Sequence, residues 1–115
     1  MADSVLFIGW NRARPGKEKD ALEAFSSALA YFGKQAAAGQ IESVEPVILD
    51  LHGGDLNGFL LIKGSGPKLA ALRASDEFRD LMVKADMAVG GLGTIDGFCG
   101  EGVTREIGRF QRSIG

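Results

Sequence analysis

The sequence predicts an α+β domain in which a four-stranded antiparallel sheet carries two helices on one face. Three observations lead there. Short runs of β-branched and aromatic residues alternate with stretches whose apolar residues recur at helical spacing, glycine and proline clusters separate them, and the order that results is β-α-β-β-α-β. That order is the ferredoxin-like supersecondary pattern. At 115 residues and 12.1 kDa the chain forms one domain, 1–115, with a core over about 5–103 and a helical tail over 104–115. Area scaling gives about 6,000 Å² exposed when folded against about 17,500 Å² unfolded, so a hydrophobic core suffices without a disulfide.

Val5 to Arg12 reads as the first strand, ended by Arg14-Pro15-Gly16. From Lys17 onward Leu22, Phe25, Leu29, Phe32 and Ala36 form one apolar stripe, with Glu18, Lys19, Asp20, Glu23 and Lys34 off it, and Gly39 stops this first helix. Ile41 to His52 changes to period two and reads as the second strand. Pro46 cannot donate to a ladder, so this strand belongs at a sheet edge or carries a bulge. Gly53-Gly54-Asp55 makes a tight connection into a third strand, Leu56 to Lys63, so that the two strands form a hairpin. Pro67 opens the second helical region, where Leu69, Leu72, Phe78, Leu81, Met82 and Ala85 are apolar and Ser75-Asp76 interrupts and recaps it. Gly90-Gly91-Leu92-Gly93 ends that region. Thr94 to Val103 reads as a glycine-rich fourth strand on which Cys99 and Glu101 share a face, and Ile107, Phe110 and Ile114 fall on one side of the tail.

Right-handed crossovers put strands one and three at the centre, with four and two at the edges. Both central strands are apolar front and back: Val5 and Phe7 oppose Leu6, Ile8 and Trp10, while Phe59 and Leu61 oppose Leu60 and Ile62. One layer of helices covers one face. Four or five apolar side chains left facing water, at about 1.5–3 kcal/mol each, represent a liability as large as the whole stability of a domain. The simplest cover is the same surface of a second copy, giving a homodimer with two sheets packed face to face as a shared barrel.

Thirteen basic and fifteen acidic side chains, with an isoelectric point near 5.3, lack the footprint of a nucleic-acid binder. The apolar run from Val5 to Trp10 is too short for a membrane span and has no basic residues ahead of it, so a cytoplasmic protein with no membrane partner is expected. With Cys99 and His52 the only residues of their kinds, neither a disulfide nor a metal site is expected, and no cofactor. Cys99 itself, interleaved with Gly97, Gly100 and Gly102 on an edge strand, reads as interface packing, where another backbone approaches closely, rather than as a reactive thiol.

Two groups of residues are candidates for chemistry. Trp10 and Arg12 share a face at the end of strand one; an aromatic surface beside a guanidinium suits a planar, anionic small molecule, although a core tryptophan with solvated arginines fits the same pattern. His52 lies two residues beyond Asp50 on one strand face, where the carboxylate would orient the imidazole as a general base. No hydroxyl or thiol nucleophile is placed beside them, and a histidine at a loop edge is ordinarily solvated.

The junction Trp10-Asn11-Arg12-Ala13-Arg14-Pro15-Gly16-Lys17-Glu18, the hairpin, and Ala74-Ser75-Asp76-Glu77-Phe78-Arg79 resemble the dimeric α/β-barrel superfamily, which includes antibiotic-biosynthesis monooxygenases, haem-degrading monooxygenases and YCII-like proteins. The resemblance covers residues 5–103 and is architectural. Of the haem-degrading set only the strand-one asparagine has a counterpart, Asn11; Ile62 stands near the expected tryptophan and Met82 near the expected histidine ligand. The YCII-like histidine is also missing, with Ala28 near its place. What the resemblance implies is a ligand pocket between sheet and helices, where Trp10 and Tyr31 would stack on the ligand beside Asn11, and Arg12 or Arg14 would hold its anion. Asp50 and His52 would move a proton in a cofactor-independent oxygenation, isomerisation or elimination on a small aromatic or carboxylated compound. The alternative is a non-catalytic ligand-binding or assembly module.

Overall fold

A computed structural model describes all residues, 1–115. The elements run β1 (Ser4–Trp10), α1 (Glu18–Ala37), β2 (Ser43–Ile48), β3 (Gly58–Gly64), α2 (Gly66–Ala74), α3 (Asp76–Ala88), β4 (Gly93–Phe98) and α4 (Glu101–Ile114). The strands form one antiparallel sheet in the order β2-β3-β1-β4, as the pattern predicts. Phe7 lies opposite Leu61 on one side and Ile95 on the other, and Pro46 faces Leu60 from the edge strand β2, where its missing N–H costs no interior ladder bond.

Alternation decides what each face buries. Leu6, Ile8, Leu60 and Ile62 point under the helices and, with Ala28, Tyr31, Phe32, Leu69, Leu72 and Phe78, form one core. Phe32 of α1 is fully buried there, edge-on to Phe78 of α3 at 6.4 Å. Ser75 both ends α2 and caps α3: its hydroxyl donates to the Leu72 carbonyl at 2.7 Å and accepts from the Phe78 N–H at 3.3 Å. The opposite face carries Val5, Phe7, Val47, Phe59, Leu61 and Ile95; Phe7 and Phe59 stack with ring centroids 5.0 Å apart. The cores of α1, α2 and α3 all lie on the other side.

Three boundaries differ from the sequence reading. β2 ends at Ile48 and β3 starts at Gly58, so residues 49–57 form a loop rather than a tight turn, and Asp50 and His52 share no strand face. Local side-chain bonding competes with the ladder here. Asp50 accepts the Leu51 N–H at 2.8 Å, and His52 bonds both the Leu56 carbonyl at 2.6 Å and the Gly54 N–H at 3.0 Å.

The second difference is that β4 ends at Phe98. The Cys99 N–H still donates to the Asp3 carbonyl at 3.1 Å, but Gly100 then turns the chain at a φ of 52° and Glu101 opens α4. Cys99 and Glu101 therefore do not alternate on a strand, and the terminal helix starts at 101 rather than 104. Close backbone approach does occur, within the chain: Gly102 rests on the Asp3 carbonyl, where any Cβ would collide. Third, β1 ends at Trp10 rather than Arg12, and Leu22 of the α1 stripe is exposed.

Candidate functional site

Where β1 runs out, the sheet and helices separate and leave a cleft of about 650 Å³. Ile8, Trp10 and Leu60 form its floor, Ala21, Phe25 and Ala28 of α1 one wall, and Met82, Ala85 and Val89 the other. Leu22, Ile48 and Leu51 line its mouth, all three well exposed. The polar residues there are Asn11, Arg12, Glu18 and Asn57. An apolar cleft of this size with polar groups at one end is the usual form of a small-molecule site.

Each wall has a local cause. Trp10 is the last residue of β1, and its indole meets Phe25 edge-on at 5.8 Å. It lies over Gly58, its partner across the ladder; a Cβ there would come within 2.8 Å of the indole and 2.9 Å of the Val47 carbonyl. Asn11 is fixed from behind, its N–H donating to the Gly90 carbonyl at 2.8 Å and its side chain packed on Gly91, whose φ of 63° suits glycine. Asn57 ties the mouth together: its N–H donates to the Trp10 carbonyl at 2.8 Å and its carbonyl accepts from Leu49 N–H at 3.0 Å.

Arg12 is exposed and has no carboxylate partner, whereas Glu18 is engaged by the Gly16 N–H at 3.3 Å. A shallower hollow of about 350 Å³, floored by Gly53, Gly54 and Gly90, adjoins the cleft. Asn11 and Arg12 line both, so Arg12, which has no carboxylate partner, stands at their junction.

The structure thus brings together Trp10, Asn11 and Arg12. Arg14 borders only the shallow hollow, and its Nε donates to the Asp86 carbonyl at 3.2 Å. Tyr31 is elsewhere: one helical turn beyond Ala28 it is buried in the core, edge-on to Phe32 at 5.1 Å, so it offers no face to a ligand in the cleft. Asp50 and His52 do not bond each other, and neither borders the cleft. The two bonds to His52 are satisfied together by a neutral ring protonated at Nε2, which donates to Leu56 while Nδ1 accepts from Gly54. The α3 wall and the Ile48, Leu49 and Leu51 rim carry no motif, and apolar periodicity alone does not separate a cleft wall from the core.

Compared with known proteins, the chain matches no protein-family profile and no curated protein. Its likeness is to solved structures. One is a dimeric protein of unknown function and ferredoxin-like fold from Bacteroides fragilis, 13% identical, with a TM-score of 0.60 over 84% of this chain and 96% of that one. The fold is ferredoxin-like. A dimeric ferredoxin-like protein of unknown function from Thermobifida fusca agrees, at 12% identity and a TM-score of 0.59 over 86% of this chain and 93% of its own. In this ferredoxin-like chain no helix is long and apolar enough to cross a membrane.

Proposed function

We propose that this protein is a cytoplasmic homodimer, with sheets stacked face to face, whose two clefts each bind a small, flat, largely apolar molecule bearing an anionic group. The observation that carries the binding reading is the unpartnered Arg12 guanidinium at the polar end of an apolar cleft walled by Trp10. The ring would lie against the indole and Phe25, and the anion against Arg12 and the Asn11 amide. Binding is favoured over turnover because both nitrogens of His52 are held within its own loop and Asp50 is held by Leu51. Support for the dimer comes from the six apolar side chains of the open sheet face and from the two structural neighbours described as dimeric.

Trp10 is the only tryptophan, so its fluorescence reports on the cleft directly. Titration with 2-naphthoate is expected to give a saturable change, and Arg12→Gln to weaken it about tenfold while leaving binding of the neutral 2-naphthamide unaltered. Absence of saturation at millimolar naphthoate, or equal loss of both ligands, contradicts the reading.

A further inference from the structure

The molecule exposes more surface than a chain of its size should. Its accessible area is 7403 Å², some 1,400 Å² above the roughly 6,000 Å² expected for a compact monomer. Its radius of gyration of 15.5 Å likewise exceeds the roughly 13 Å expected of a compact domain.

The terminal helix α4 contributes to the excess. Val103, Ile107, Phe110 and Ile114 are 46%, 52%, 68% and 86% exposed. Their spacing of four, three and four residues makes a single apolar strip. The helix holds its own domain by another side: Gly102 rests on the Asp3 carbonyl and Arg105 pairs with Asp3 at 2.6 Å. At about 100° per residue the strip lies roughly 110° around the helix from Gly102, so α4 is anchored with its apolar face turned away from its own core.

We infer that α4 is an exchanged arm, its Val103–Ile107–Phe110–Ile114 strip packing on the second copy of this chain. The inference rests on the dimer proposed above. The surplus of about 1,400 Å² over a compact monomer exceeds the roughly 800 Å² of accessible surface that a stable dimer takes from each partner, and the α4 strip is part of that surplus. The arm follows β4, an edge strand, so it leaves the domain at the margin of the sheet whose open face carries Ile95. A membrane surface is the weaker fit. Two of the three arginines on α4 are paired, Arg105 with Asp3 and Arg109 with Glu106, and the chain as a whole carries a net charge of −2.

The test is sedimentation equilibrium of the whole chain beside two variants, with circular dichroism to check that each stays folded. Ile107→Gln/Phe110→Gln keeps helix-forming residues on an exposed face and is expected to raise the dimer dissociation constant about a hundredfold. Phe59→Glu, on the sheet face, is expected to abolish the dimer. If Phe59→Glu dissociates while the α4 double variant dimerises like the parent chain, the sheet interface stands and the arm is overturned. A parent chain that is monomeric at 100 µM overturns both. Loss, in the α4 variant, of binding to vesicles of phosphatidylserine and phosphatidylcholine, with dimerisation unchanged, overturns the arm in favour of a lipid surface. Should Ile107→Gln/Phe110→Gln lose helix content, hydrogen exchange of the parent decides: amides 103–114 slow at least tenfold between concentrations below and above the dissociation constant, or the arm is refuted.

Discussion

Glycine at position 58 shows how one absent side chain shapes a site. The Trp10 indole occupies the space a Cβ would need, and the Val47 carbonyl blocks the other escape. Gly58→Ala is expected to cost about 1–3 kcal/mol in chemical denaturation and to shift Trp10 emission, because both neighbours must move. An unshifted spectrum would mean that the strand yields instead. His52 makes the opposite case, a conspicuous residue whose work is local. Its two bonds fold residues 49–57 back on themselves and so set the positions of Leu49, Leu51 and Asn57 at the rim. His52→Ala is expected to lower stability by about 1 kcal/mol and to speed hydrogen exchange across 49–57. Unchanged exchange would return this histidine to the list of candidate bases.

Among the elements, α4 is lightly held, and an ion pair is one of its few contacts with the rest of the chain. The Arg105 guanidinium, and after it the Ser4 hydroxyl, holds the Asp3 carboxyl below the usual carboxylate range. A lowered folded value means that this stabilisation is complete above the ordinary aspartate pKa and is lost as the pH falls through the lowered value. Amide exchange in α4, corrected for its intrinsic rate, is therefore expected to accelerate on acidification below about pH 4, the ordinary aspartate range. Asp3→Asn should show the faster exchange already at pH 7 and no further change on acidification. An α4 whose exchange is the same in both proteins is held by its backbone and β4 contacts rather than by the ion pair.

Taken whole, the molecule is a two-layer domain with one layer unfinished. The helices dry Leu6, Ile8, Leu60 and Ile62, while Phe7, Phe59 and Leu61 on the reverse stay only partly covered. If a second copy completes the layer, folding is coupled to association by mass action. The unfolding midpoint is then expected to rise by several degrees as protein concentration increases from 1 to 100 µM in scanning calorimetry. A midpoint independent of concentration would show that the monomer is stable with its sheet wet.

Strand order, the edge position of Pro46, the break and recap at Ser75 and the two-faced character of β1 and β3 were all legible in the sequence, because each depends on backbone chemistry or period within a few residues. The Trp10, Asn11 and Arg12 corner was legible for the same reason, since they are consecutive at the end of one strand. The tertiary structure decided the rest. Asp50 and His52 have strand periodicity but turn their polar atoms to nearby N–H and carbonyl groups, and Tyr31 lies one turn too deep in the core to meet a ligand. Cys99 and Glu101 are separated by a glycine turn rather than alternating, because the Asp3 backbone is there for Gly102 to rest on. Which side of a helix stays bare depends on what stands beside it, and for α4 the chain's own fold supplies only Asp3 and the end of β4 at Phe98, both near its first turn.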